Sequence, residues 1–439
     1  MRIIIQPSGM SCLNVGDQAM LETAYGRLRD IWPRAEIRVF TWAPNEIQRT
    51  LPGAIPVSPA GRGGCFDLKM FGRLSASGHP LSKIFSKAEN TLFDRAPGLQ
   101  TLAARMKMRL RGDRAAAVVV SALQSTDLFV FSGAGMITDP FAPEAIECLK
   151  TLSLSKRLGA RTAIVGHMFG PVANDELKTV CRRVLPKVDF ISVRERVTSL
   201  PFLAECGVRT EDVRITGDEV LEQICQSPLE SRPRNALGVN VRAAYYSGVD
   251  GATTSLLSAA INRISQQLGA RLEPLAVAHH KEDDDSVALS AMAAELKNGS
   301  KGLESPQGFK QRIAGCRVVV TGSYHAAVFA LAQGIPALGL VFSPYYEAKF
   351  KGLKDLFGAG CRYVDGRQRG WDQELQMTAA ELWANARYWE DELVRSANRQ
   401  SALGRAAYEE LRRIVEGKVK ITPAPTLEPV PTRVASEGV

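Results

Sequence analysis

Val318-Val319-Val320-Thr321-Gly322-Ser323-Tyr324-His325, continuing through Ala326 to Gln333 and Gly334-Ile335-Pro336, is the stretch that decides the fold. Three consecutive valines make a short, continuously apolar, β-branched run, as a strand covered on both faces of a parallel sheet requires. Gly322 and Ser323 then turn the chain. Ala326 to Ala332 is apolar and helical in composition, and Gly334 stands where a helix stops. The order predicts a strand, a tight turn and a helix N-terminus, the unit of an open α/β sheet.

In such a sheet the turn lies at the carboxyl edge of the strands. The free N–H groups and partial positive charge of the helix start suit an anion there. Tyr324 and His325 fall at that mouth. A second strand, Ala337 to Phe342, delivers Ser343, Tyr345, Tyr346, Glu347 and Lys349 to the same edge. A lone histidine would read first as a helix cap. Two adjacent mouths with a histidine, tyrosines, a lysine and backbone amides read as one site.

With 439 residues the chain suits two domains of about 200 residues each and a tail. It has no run of about twenty apolar residues, so no membrane span is expected. The apolar part of Met1 to Pro7 is too short for a signal peptide and reads as a first strand, which points to the cytoplasm. The eight cysteines are scattered without a Cys-x-x-Cys pair, as buried reduced thiols would be. A net charge of +9, spread along the chain, suits an anionic partner without choosing among nucleic acid, an acidic membrane and a phosphorylated or carboxylated substrate.

The first half, residues 1–226, repeats the theme. Ile3 to Gln6 leads into Asn14, Gly16 and Asp17, with Asp17 at the N-cap position of a helix reaching about Ile31. Glu36 to Trp42 alternates as a strand. Asp127 to Ser132 is a buried strand running into Gly133-Ala134-Gly135-Met136-Ile137-Thr138-Asp139, where glycines permit a ligand to approach the backbone. His167 follows another strand, and a packed histidine is at least as good a reading as one facing a ligand. Phe190 to Val193 runs into Arg194 and Glu195, with Thr198 or Ser199 able to cap the next helix. Arg194 can give its planar fork to a protein carboxylate or to a ligand anion. The insertion at about 61–114 carries Arg105, Lys107, Arg109, Arg111 and Arg114 beside Leu102, Met106, Met108 and Leu110. It reads first as a solvated helix face and second as a peripheral contact with an anionic membrane.

A polar, proline-broken linker at 227–235 precedes the second half, 236–416. Its first strand, Leu237 to Val241, hands Arg242 to a loop with Tyr245 and Tyr246. His279-His280-Lys281-Glu282-Asp283-Asp284-Asp285 resembles a metal cluster in composition. Acidic residues opening a helix are favoured without any ion, and no metal is expected. Residues 417–439 are proline-rich and aperiodic and read as a disordered tail.

The valine-rich strand, the turn, Tyr324-His325-Ala326, the alanine-rich helix, Gly334-Ile335-Pro336, the second strand and Lys349 near Gly352-Leu353 resemble the polysaccharide pyruvyl transferase family. Asn14-x-Gly16-Asp17, the glycine-rich stretch after Ser132, Val193-Arg194-Glu195 with its following serine, and Gly217-Asp218 are similar to the family's other motifs. The resemblance implies two Rossmann-like domains facing a cleft, a GT-B-like α/β fold. It also implies transfer of pyruvyl from phosphoenolpyruvate to two hydroxyls of one sugar, giving a cyclic ketal and phosphate. The acceptor would be a cell-surface polysaccharide or its lipid-linked precursor, met in the cytoplasm or at the inner face of the membrane.

Carried over residue by residue, the resemblance makes Asp17 a base and His325 a proton donor or phosphate partner. It puts Arg194, Arg242, Gly322, Ser323, Tyr324 and Lys349 on the donor, and Asn14, Gly133, Gly135 and Asp139 on the acceptor. Beyond phosphoenolpyruvate as co-substrate it implies no cofactor, and no nucleic acid partner. One position departs: the family commonly has an arginine two residues before the histidine, where this chain has Ser323. A different donor therefore stays open, and a GT-B glycosyltransferase using a nucleotide sugar is the alternative in the same fold. A catalytically inactive binding subunit of a polysaccharide assembly complex is the alternative from another class.

Overall fold

In the computed structural model, which describes residues 1–63, 114–226, 233–292 and 304–417, the apolar runs of the first half form one parallel sheet. Its strands are β1 (Arg2–Gln6), β2 (Glu36–Phe40), β3 (Ile55–Val57), β4 (Leu128–Ile137), β5 (Arg161–Phe169), β6 (Phe190–Val193) and β7 (Arg214–Ile215). Their order is β3-β2-β1-β4-β5-β6-β7. The second half builds another parallel sheet from β8 (Ala236–Asn240), β9 (Arg271–Pro274), β12 (Cys316–Thr321), β13 (Ala337–Val341) and β14 (Cys361–Asp365), in the order β14-β13-β12-β8-β9. A short antiparallel pair, β10 (His279–His280) and β11 (Asp283–Asp284), stands apart. Most of the insertion, most of the linker and the tail lie outside the described residues.

The strand order reverses beside β1 in the first sheet and beside β8 in the second. Crevices at the carboxyl ends of the strands open at such switch points. The loops after β1, β4, β8 and β12 therefore converge, and they carry most of the predicted site. The decisive stretch folds as read: β12 is buried over Val318 to Thr321, and the helix Tyr324–Leu331 follows it directly. Gly334 takes φ +74°, which a residue with a Cβ rarely adopts.

Helix Val15–Ile31 lies between the two halves. Val15, Ala19 and Met20 belong to the core of the second half, whereas Leu21, Ala24, Tyr25 and Leu28 pack with β1 and β2. Backbone bonds fix its start against the second half, from Val15 N to Val277 O (3.0 Å) and from His279 N to Leu13 O (2.8 Å). The long helix Ala386–Val415 returns to the first sheet and adds Ala407, Tyr408 and Leu411 to its core.

Three local expectations are corrected. Asn14, not Asp17, caps the first helix, its Oδ1 accepting from Gly16 N (2.9 Å) and Asp17 N (3.2 Å). Asp17 lies in the first turn, where a negative charge also suits the helix dipole. The glycine-rich stretch after Ser132 continues β4 as far as Ile137, paired with β5 at Ala134 and His167 and again at Ile137 and Phe169. Neither Thr198 nor Ser199 caps the helix Ser199–Glu205 with its side chain. The Glu195 carboxylate does so, accepting from Thr198 N (2.9 Å) and Ser199 N (3.0 Å).

Candidate active site

The start of helix Tyr324–Leu331 carries His325 and a set of backbone amides. Its N-cap, Ser323, makes no side-chain capping bond, so the first amides keep the free donors that an anion can use. His325 packs against the backbone of Gly16 so closely that a Cβ there would overlap the imidazole. Its Nε2 is buried and has no hydrogen-bond partner among the described residues. Burial pushes its pKa down to about 3, aided by Arg194 and Lys349 and opposed by Asp218. The near-neutral titration expected of an unperturbed histidine is therefore absent here, and the ring is neutral at physiological pH.

Asp17 behaves in the opposite way. Its carboxylate lies against Gly9, where a Cβ would come 2.5 Å from Oδ2. Burial raises its pKa to about 6, while Lys349, Arg194 and Arg242 pull it down and Asp218 pushes it up. Between the two groups the expected order is inverted: the carboxyl titrates near neutrality and the imidazole does not.

Lys349, on the helix Pro344–Phe357 after β13, holds its ammonium over three tyrosine faces. The distances to the ring centres are 4.0 Å for Tyr345, 5.1 Å for Tyr346 and 5.7 Å for Tyr324. Burial first, then the Arg194 and Arg242 guanidiniums, lower its pKa well below the usual lysine range, against the attraction of Asp17 and Asp218. The ring faces favour the charged form. Lys349 takes part in no ion pair among the described residues.

Arg194 and Arg242 each hold a carboxylate, and the buried Arg194 Nε has no hydrogen-bond partner among the described residues. Arg194, 1 % exposed, gives Nη1 to Asp218 (3.2 Å) and lies 3.9 Å from the centre of the Tyr324 ring. Its carboxylate partner is Asp218 rather than the adjacent Glu195. Arg242 donates to Asp285 Oδ1 (2.8 Å), Asp283 O (2.6 Å) and Tyr246 OH (2.6 Å). Asp285 also accepts from Asn240, Val277 N and Ala278 N. The acidic cluster read from the sequence thus serves to anchor an arginine.

The glycines mark close approaches. A Cβ on Gly135 would meet Arg194 Nη2 at 2.9 Å and Lys349 Cε at 3.1 Å, and Tyr345 OH donates to Gly135 O (3.1 Å). A Cβ on Gly322 would come 3.1 Å from Arg242 N. Gly133 instead abuts Met20 and Glu219, and its carbonyl accepts from Ser8 Oγ (2.8 Å). Asp139 turns its carboxylate to Ala173 N and Asn174 N, each at 2.8 Å, and so braces that loop. The Asn14 Oδ1 is likewise spent on its cap. His167 is packed edge-on against Phe131 at 4.2 Å, and burial pushes it down to about 3.

No sequence motif points to Glu219. It is buried behind the site, accepts from Tyr408 OH and Ser132 Oγ, and is raised by burial to about 7. Tyr408 lies 189 residues away, and no local pattern signals the pair.

Two parallel α/β sheets with their switch-point loops meeting over one cleft define a GT-B-type enzyme fold. Solved structures share it. A putative UDP-N-acetylglucosamine 2-epimerase from Listeria monocytogenes is similar with TM-score 0.57 at 10% identity, over 97% of this chain and 99% of its own. Anabaena Alr3699/HepE in complex with UDP gives 0.52 at 13%, over 95% and 99%. A glycosyltransferase from Rickettsia africae gives 0.52 at 10%, over 95% and 99%. At such identities the likeness establishes the fold alone. No curated protein was found to match. Residues 14–344 match the polysaccharide pyruvyl transferase family, and the chain belongs to that family of transferases. Among the described residues no helix is long and apolar enough to cross a membrane.

Proposed function

We propose that this protein transfers pyruvyl from phosphoenolpyruvate to two hydroxyls of one sugar in a cell-surface polysaccharide or its lipid-linked precursor. The observation that carries this reading is the convergence of Asp17, His325 and Lys349, whose side-chain termini have no hydrogen-bond or ion-pair partner among the described residues and which come from both halves. Such groups in a desolvated cleft are kept for a ligand more readily than for stability.

Lys349 and the free amides at the Tyr324 helix start hold the donor's anions. With both arginines paired, Lys349 supplies the cation that Ser323 does not. Asp17, ionised above about pH 6, takes the proton from the first sugar hydroxyl, whose oxygen bonds to the donor's phosphate-bearing enol carbon. The donor's negative charge beside His325 favours the imidazolium, so the ring acquires on donor binding the proton that it delivers to the methylene carbon. The second hydroxyl then gives its proton to the neutral His325 and displaces phosphate, breaking the carbon–oxygen bond to it and closing the ketal with a methyl and a carboxylate on the new carbon.

Incubation with phosphoenolpyruvate and an oligosaccharide panel, followed by phosphate release and by proton NMR of the ketal methyl, tests the reading. Product formation that His325→Ala and Asp17→Asn both abolish supports it. Product formed at full rate by either variant removes that residue from the mechanism.

A further inference from the structure

Trp42 (55 % exposed), Tyr245 (76 %) and Tyr388 (55 %) are the large aromatic side chains that stand exposed among the described residues. Two of them, Trp42 and Tyr245, sit on loops at the carboxyl edges of the two sheets, after β2 and β8. Trp42 is tied by its backbone: its N–H donates to Met10 O (2.9 Å), and Thr41 Oγ1 donates to the same carbonyl (3.0 Å). Met10 adjoins Gly9, on which the Asp17 carboxylate rests. The turn between is tight, with Cys12 at φ 56° and its amide reaching Gly9 O (3.4 Å). The Trp42 N–H is thus bonded to the residue next to Gly9, the glycine against which the Asp17 carboxylate lies.

Tyr245 bounds the other side. It crosses the cleft from the second half, donates its OH to Pro140 O (2.8 Å) and meets Tyr246 edge-on at 5.0 Å, leaving most of the ring exposed. Because β1 lies between β2 and β4, the loops bearing Trp42 and Pro140 flank the loop that leads to Asp17. Rigid aromatic faces with polar neighbours supply contact area at small entropic cost, and the C–H faces of pyranose rings are their natural complement in water.

We propose that Trp42 and Tyr245 are stacking subsites for an acceptor glycan of at least two sugar units. The glycan lies along the carboxyl edge of the first sheet, with the sugar to be modified at Asp17 and its neighbour on Trp42. This rests on the acceptor-side reading of Asp17 given above. A monosaccharide reaches Asp17 without the second stacked ring and is held more weakly.

Calorimetry of the full chain without donor, using neutral gluco-, galacto- and manno-oligosaccharides from mono- to tetrasaccharide, tests the proposal. The comparison set is wild type, Trp42→Ala, Trp42→Phe and Tyr245→Ala, each checked for native circular dichroism. The expected result is saturable binding of at least one oligosaccharide and roughly tenfold weaker binding of its monosaccharide. A loss of roughly tenfold or more is expected in Trp42→Ala, with most of the affinity kept in Trp42→Phe. Binding unchanged in both alanine variants, or no oligosaccharide bound at all, overturns it. Phosphoenolpyruvate titrated separately keeps the two readings apart: ring-dependent glycan binding without donor binding would refute the donor and leave the subsites standing.

Discussion

His325 rests on the bare backbone of Gly16, in a contact too close to admit a methyl group. It joins the first turn of helix Val15–Ile31 to the first turn of helix Tyr324–Leu331, and Asp17 follows Gly16 directly. The spacing between the two candidate acid–base groups is therefore set by a missing side chain.

Gly16→Ala should displace the imidazole while leaving the helix backbone acceptable to alanine. Transfer should fall by roughly a hundredfold, as small misplacements of reacting groups do, with native circular dichroism. Gly26→Ala on the same helix meets nothing within 4 Å. It should raise stability by about 0.5–1 kcal/mol, since alanine loses less backbone entropy on helix formation. Steady-state rates and urea unfolding of the two variants check both expectations.

Asp17→Asn should separate function from stability. The carboxyl is raised to about 6 in the folded protein. As pH rises from about 4 to about 6 the unfolded chain releases a proton that the folded one keeps, so stability falls across that window and is level above it. The asparagine variant removes this cost. It should be inactive, more stable than wild type by up to about 2–3 kcal/mol at pH 7.5, and no more stable at pH 4. Denaturant midpoints at the two pH values measure the difference.

His167 tests the acid limb. Lowered to about 3 by burial, it stays neutral in the fold below pH 6.5, where an unfolded histidine takes up a proton. Stability therefore drains away as pH falls from about 6.5 towards 3. Both ring nitrogens are buried and neither makes a well-formed hydrogen bond among the described residues, the Ser132 backbone being a weak partner at most. His167→Leu should unfold at a lower pH than wild type and be near neutral in stability at pH 7.5, because it leaves no unsatisfied polar group behind. Acid titration followed by fluorescence decides this.

What the sequence disclosed was local. β12 and the helix after it were legible because three valines, a glycine and an alanine-rich run each point the same way over a few residues. The extension of β4 through Gly133 and Gly135 was not, since glycine has no strand preference of its own and β5 supplies the pairing. The choice between Asn14 and Asp17 as cap is made by the other half of the chain, through the Val15 to Val277 bond. Arg194 and Arg242 were rightly singled out as strand-end arginines. Their carboxylates lie 24 and 43 residues on, so nothing nearby showed that both would be paired and that Lys349 would be left without an ion-pair partner.

Lys349 in its tyrosine cage, with the Tyr324 helix start, is the proposed seat of an anionic pyruvyl donor. Calorimetric titration of phosphoenolpyruvate into wild type and Lys349→Met, with a nucleotide-sugar panel alongside, tests it most directly. The expected result is saturable binding of phosphoenolpyruvate, lost in Lys349→Met, and no response to the nucleotide sugars. Unchanged phosphoenolpyruvate binding in the variant, or binding of a nucleotide sugar alone, would contradict it.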